Sequence, residues 1–82
     1  MEITMSYDTS MLQFQSGNNV TETSAGTLTY SYDATPVNNP RVEFVMKSAM
    51  SLQSAATSFP CGSSLTGRKG VESWSYISNS FF

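Results

Sequence analysis

The stretch RVEFVMKSAMSLQSAATSF, residues 41–59, decides between two fold classes, because its apolar residues fit two different periods. Apolar residues recur at spacings of three and four, which is typical of a helix with one buried face; they are Val42, Val45, Ala49, Leu52, Ala56 and Phe59. Asn39 and Pro40 suit the start of a helix, and Pro60 and Gly62 are typical of its end. The pattern therefore predicts one helix at about 40–58, whose buried face Met46 and Met50 would widen.

The same stretch also supports an alternative. Val42, Phe44 and Met46 alternate with polar or smaller residues, as in a strand with one buried face. Serine and threonine, which are frequent after residue 47, are weak helix formers. In this interpretation RVEFVMK is a strand paired with residues 27–33, and the fold is all-β.

Outside this stretch, the period is two. Polar and apolar residues alternate at 2–8, 12–15, 27–33 and 71–78, and residues 20–24 form a weaker candidate strand. We interpret the first two segments as a hairpin, because Asp8, Thr9 and Ser10 favour a turn between them. The 82 residues are enough for one domain, 1–82, with no repeat. The sequence predicts an α+β fold, in which one helix accompanies a small antiparallel sheet of four or five strands.

The segment GSSLTGRKG, residues 62–70, has the glycine spacing of a phosphate-binding loop. Arg68, however, occupies the position of the phosphate-binding lysine, and Lys69 occupies that of the hydroxyl that holds magnesium. The segment also follows a predicted helix and precedes a strand, whereas a phosphate-binding loop needs the reverse order. We therefore predict a connecting loop without nucleotide affinity, in which Arg68 and Lys69 face solvent or contact an acidic partner.

Catalytic and metal sites are not expected. The chain has one cysteine and no histidine, so neither a cysteine–histidine pair nor a zinc site of four such ligands can form within it. Cys61 and Arg68 are separated by one residue too many for a cysteine phosphatase loop, and we interpret Cys61 as a buried or half-buried structural thiol. The sequence predicts no enzyme activity, no cofactor and no small-molecule substrate.

The composition excludes several kinds of partner. Charged residues make up 12% of the chain, the net charge is −2, and fifteen serines supply much of the polar character. Four cations, Arg41, Lys47, Arg68 and Lys69, are too few for a nucleic-acid surface. No apolar run reaches the length of a membrane span, and the first residues do not have the pattern of a signal peptide. A virion or a host cytoplasm is the expected location.

Protein contacts remain as the expected activity. A domain of this size buries a modest core and often relies on association with other chains. Most aromatic residues on the strands are expected in the core, and those that the core does not use would contact a protein partner; the set is Tyr7, Phe14, Tyr30, Tyr32, Trp74 and Tyr76. Phe81 and Phe82 are two large apolar side chains, and we expect interchain pairing of the strand at 71–78 to bury them in a neighbouring chain. The predicted partner-contact residues are Trp74, Tyr76, Phe81, Phe82, Arg68 and Lys69.

Two functions fit these expectations. The first is a non-catalytic structural or assembly protein, most concretely a small virion component of a bacteriophage capsid or tail. It would contact its own copies or a larger assembly, and its low charge would limit repulsion between packed copies. The alternative is a small inhibitor or regulator that binds one host protein, such as an anti-defence protein.

Overall fold

The architecture is two small β-sheets with one short helix. A computed structural model of the protein describes residues 2–31 and 39–79. Its elements are β1 (Glu2–Ser6), β2 (Leu12–Asn18), β3 (Thr21–Ser24), β4 (Thr27–Ser31), β5 (Arg41–Met46), α1 (Met50–Ala56), β6 (Ser64–Lys69) and β7 (Glu72–Ile77). The predicted α+β class is confirmed, but the seven described strands form two sheets instead of one sheet of four or five strands.

The strands divide unequally between the sheets. Sheet A has the order β1-β4-β3 and is antiparallel, whereas sheet B has the order β2-β5-β6-β7 and contains one parallel pair, β5 with β6. The predicted hairpin between the first two strands is wrong, because β1 pairs with β4 and β2 pairs with β5. Asp8 accepts backbone hydrogen bonds from Met11 and Leu12, so the connection turns away from β1 and carries the chain into the other sheet.

Residues 41–46 are a strand, which corrects the predicted helix start at residue 40. Val42, Phe44 and Met46 are all buried, while Val45, which the helical pattern requires inside, is 37% exposed. The strand lies between β2 and β6, so its backbone groups are paired on both sides. The predicted pairing of this segment with residues 27–33 is also wrong, since β4 lies in sheet A. Pro40 precedes a strand here, and its carbonyl accepts a bond from the Ser64 N–H.

The helix is confirmed only in its second half, Met50–Ala56. Ser51, Leu52, Ala55 and Ala56 are its buried residues, and it begins without a side-chain cap at Ala49. Met46 is buried from β5, whereas Met50 is 67% exposed at the helix start, so the two methionines do not share a buried helical face.

Residues 64–69 are a strand, which corrects the predicted connecting loop at 62–70. Leu65 and Gly67 point inward, and Arg68 and Lys69 are exposed. Gly62 and Gly70, with φ of 91° and 63°, do form the turns at the two ends. Gly67 serves a different purpose, because a Cβ there would overlap the Met46 side chain. This glycine therefore allows close packing of β6 against the core.

One hydrophobic core joins both sheets and the helix. Phe44 lies at its centre, with ring centroids 5.1 Å from Tyr7 and 5.9 Å from Phe59, both in edge-to-face geometry. The fully or nearly buried apolar residues around it come from every layer: Met5, Leu12, Leu28, Tyr30, Val42, Met46, Leu52, Ala55 and Leu65. Tyr7, Phe14, Trp74 and Tyr76 are partly buried against this core, and Tyr32 lies outside the described residues.

Candidate functional site

Four of the six predicted contact residues lie in one hairpin, formed by β6 and β7. Arg68 and Lys69 end β6, and Trp74 and Tyr76 belong to β7. The remaining two, Phe81 and Phe82, lie outside the described residues. The turn between the strands is Gly70-Val71, with Lys69 opposite Glu72, and the Val71 side chain is fully exposed at its tip. The β6–β7 hairpin therefore brings four of the predicted contact residues together.

β7 is an edge strand of sheet B. It pairs with β6 over six consecutive residue pairs without a bulge, from Lys69–Glu72 to Ser64–Ile77. No strand within residues 2–31 and 39–79 pairs with its other side. An edge of this kind presents a row of backbone donors and acceptors to any chain that approaches it.

The direction of these backbone groups follows from Ser78. Its carbonyl accepts a 2.8 Å hydrogen bond from the Gly62 N–H, and its N–H donates a 2.9 Å bond to the Ser63 carbonyl. Both groups of residue 78 thus point toward the β6 side. Because successive residues of a strand point their backbone groups in opposite directions, Ser73, Ser75 and Ile77 direct theirs outward. These three residues form what we call the β7 edge.

The side chains of β7 separate into two faces. Trp74 and Tyr76 point to the inner face, where both are half-buried against the hydrophobic core. Ser73, Ser75 and Ile77 are exposed on the outer face, and Ile77 has 64% of its surface accessible. An approaching strand would therefore meet aromatic rings on one face and small hydroxyls with one apolar side chain on the other.

Three of the four cations lie at one end of sheet B. Arg68 is in register with Val45 of the parallel neighbour β5, and Lys47 directly follows that strand. Lys47 also donates a 2.9 Å hydrogen bond to the Thr9 carbonyl. Asp8 accepts hydrogen bonds from the hydroxyl and the N–H of Ser10. These bonds, assisted by the positive charge of Lys47, lower the pKa of Asp8 below its usual value. The hairpin tip is therefore mildly basic, with Asp8 and Glu72 as nearby acids.

Cys61 is exposed, which corrects the expectation of a buried or half-buried thiol. It lies in the turn between α1 and β6, where Gly62 has positive φ and the Cys61 carbonyl accepts a bond from the Asn39 amide. Cys61 and its neighbour Gly62 are both exposed in this turn, whereas Pro60 and Ser63, which flank the pair, are buried. Among the described residues, no group of three or more His, Cys, Asp or Glu could hold a metal ion.

A shallow depression of about 700 Å³ lies on the other sheet. It is lined by Glu2, Val20 and Tyr30 and by hydroxyl and amide side chains of β3, β4 and the turn before β3. Glu2 is the single charged group among its described lining residues.

The chain was compared with protein-family models, with curated proteins and with solved structures, and no match was found. Within residues 2–31 and 39–79, no helix has the length and apolar character needed to cross a bilayer.

The sequence prediction included interchain pairing of the strand at 71–78, but it did not single out the residues that make the edge, Ser73, Ser75 and Ile77. Alternation in 71–78 did indicate which side chains share a face. It carried no signal for the strand's position at the edge of sheet B, since that depends on which distant segments pair.

Proposed function

We propose that the protein is a non-catalytic structural protein that assembles from its own copies, most concretely as a small component of a bacteriophage capsid or tail. The observation that supports this most directly is the β7 edge, which combines outward backbone groups with an unbulged strand. On this proposal the protein is found in the virion or in the host cytoplasm before assembly.

The other edges of the fold are less suited to pairing. β2 has a register shift between Phe14 and Ser16, and β3 has one between Glu22 and Ser24. Bulges of this kind, like lysine or proline on an edge, are devices that oppose pairing with other chains. β7 carries none of these features between Glu72 and Ile77. β1 is also unbulged, but it is shorter and has no half-exposed aromatic residue.

The charge of the chain supports dense packing of copies. Four basic and six acidic residues among 82 leave a net charge of only −2. Copies at high local concentration would repel one another weakly, because self-repulsion grows with net charge. The exposed serine and threonine side chains provide polar character without adding charge.

A catalytic role has less support. General acid–base chemistry near neutral pH most often uses histidine, and the chain has none. The described acids are dispersed over both sheets and do not form a cluster of three or more. We therefore assign the role to contact surfaces.

Sedimentation velocity over a wide range of concentration tests the proposal. We expect the wild-type protein to form defined oligomers, and Ser75→Lys to shift them toward monomer by placing a charge at the β7 edge. Gln13→Lys is the matched control, because Gln13 is exposed on the same outer face but in the opposite edge strand, β2. It should leave the oligomers unchanged.

Two results would contradict the proposal. A wild-type protein that sediments as a monomer at the highest concentration, alone and with candidate assemblies, would overturn self-assembly. A monomer that captures one unrelated host protein would favour the alternative, an inhibitor or regulator of that protein.

A further inference from the structure

We propose that two copies pair through antiparallel β7 strands, with a two-fold axis at Ser75. The two four-stranded sheets would then form one continuous sheet of eight strands. This inference rests on the proposed self-assembly and specifies its partner and its register. A symmetric pairing of one edge with itself is the simplest closed contact between identical chains.

The backbone allows this register. Ser73, Ser75 and Ile77 direct their N–H and C=O groups away from β6. This follows from the strand alternation, because the N–H and C=O groups of Ser78 point toward β6. With the axis at Ser75, this residue lies opposite Ser75 of the second copy, and Ser73 lies opposite Ile77 of the second copy. In an antiparallel ladder each such pair exchanges two hydrogen bonds. Every outward group of the three residues is therefore used.

The aromatic side chains favour the register with the axis at Ser75 over the registers with the axis at Trp74 or Tyr76. The axis at Ser75 places Trp74 opposite Tyr76 of the second copy, and it does so twice by symmetry. These are non-hydrogen-bonded positions, where the Cα atoms approach to about 4.5 Å and side chains contact closely. An axis at Trp74 would instead place Tyr76 opposite Glu72, and an axis at Tyr76 would place Trp74 opposite the buried Ser78.

The charges also fit. Glu72 is the single charged side chain of β7. With the axis at Ser75, the two copies of Glu72 lie at opposite ends of the new ladder, about 20 Å apart at ~3.4 Å per residue. That distance exceeds the screening length of about 8 Å at physiological salt. The pairing thus brings no like charges together.

Cysteine cross-linking tests the register. In a Cys61→Ser background, Ser75→Cys should give a covalent dimer on mild oxidation, since opposed Cα atoms about 5.5 Å apart are within disulfide reach. Ser73→Cys alone should not, because its two copies would be about 14 Å apart at ~3.4 Å per residue. Combining Ser73→Cys with Ile77→Cys should restore the covalent dimer. Gln13→Cys, exposed on the opposite edge strand, measures cross-linking by random collision.

Each outcome decides one point. The register is confirmed if two variants cross-link well above the Gln13→Cys level. These are Ser75→Cys and the variant that combines Ser73→Cys with Ile77→Cys. If the protein sediments as an oligomer but Ser75→Cys cross-links no better than Gln13→Cys, the β7 interface is wrong while self-assembly stands. If Ser73→Cys alone cross-links as well as Ser75→Cys, the register is wrong. A protein that is monomeric by sedimentation refutes both the interface and the proposed function.

Discussion

The hydroxyl of Ser78 lies 2.6 Å from the carbonyl oxygen of Ala56, and this contact joins the end of β7 to the last turn of α1. The same hydroxyl is 3.0 Å from the Phe59 carbonyl. Ser78 is completely buried, so these carbonyls have little access to water. The Ser78 side chain therefore anchors β7, the edge strand, to α1, the helix that covers the core.

Replacing this residue should destabilise the fold. Ser78→Ala removes the hydroxyl shared by the Ala56 carbonyl of α1 and the Phe59 carbonyl after the helix, and it should lower the free energy of unfolding by about 1–3 kcal/mol. Urea unfolding followed by tryptophan fluorescence measures the loss. Ser73→Ala is the control on the exposed face of the same strand and should change stability by less than about 0.5 kcal/mol. Equal effects of the two variants would contradict the assigned role of Ser78.

A methyl group at residue 67 should not be accommodated. In Gly67→Ala the new Cβ would overlap the buried side chain of Met46 and contact Leu52, so overpacking should cost about 1–3 kcal/mol of unfolding free energy. Met46→Ala alone should also destabilise, because it leaves a cavity. The double variant should be more stable than the sum of the two losses predicts. Strict additivity in urea unfolding would show that Gly67 is needed for another reason.

Tyr7 links the two sheets through its hydroxyl. We expect its contribution to the stability of the fold to be lost at alkaline pH. Its hydroxyl donates a 3.1 Å bond to Glu22 of β3 and accepts a 3.2 Å bond from the Phe14 N–H of β2. Partial burial, followed by the bond to Glu22, raises the pKa of Tyr7 above its usual 10.0. The folded state then holds the phenol proton more tightly, so the contribution of Tyr7 is present below about pH 10 and is lost as pH rises through the folded pKa.

Tyr7→Phe isolates this contribution, because the ring contact with Phe44 is kept. At neutral pH the variant should be less stable than wild type by about 0.5–1.5 kcal/mol, the usual worth of a hydrogen bond. Above about pH 10 the difference should shrink. Urea midpoints of both proteins at neutral and alkaline pH provide the measurement, and a difference that stays constant would refute the raised pKa.

Nucleotides should not bind to the glycine-containing segment 62–70. A phosphate-binding loop offers unpaired backbone N–H groups to the phosphates, whereas residues 64–69 pair with β5 on one side and with β7 on the other. Calorimetric titration with ATP or GTP should show no saturable binding. Micromolar binding that disappears in Arg68→Ala would contradict this prediction.

The sequence predicted local features better than pairing. Alternation identified β1, β4 and β7 to within about two residues wherever the structure describes them. It failed at residues 41–46, where Val42 fitted both periods and the Asn39-Pro40 cap signal favoured the wrong one. The decisive factor was pairing of β5 with β2 and β6, which are distant in sequence.

The second wrong prediction, a connecting loop at 62–70, came from interpreting all three glycines as turn residues. In GSSLTGRKG, Gly62 and Gly70 have positive φ, but Gly67 is a strand residue whose missing side chain makes room for Met46. A glycine that forms a turn and a glycine that makes room for a neighbouring side chain cannot be told apart in the sequence. Four residues singled out from the sequence, Arg68, Lys69, Trp74 and Tyr76, lie in one hairpin, and their role in partner contact stays a prediction. The backbone edge of this hairpin could not be predicted, because edge position is a property of the assembled sheet.

The order of strands in sheet B also determines how the chain folds. β6 and β7 are joined by a two-residue turn, and such hairpins close within about 1–10 μs. β2 and β5 are separated by residues 19–40, and β5 can reach β6 only in parallel through the helical crossover, so these pairings form much later. Until β5 docks, the hairpin exposes both of its edges. Refolding yield should therefore fall as protein concentration rises, because a second hairpin competes with β5 for the same strand.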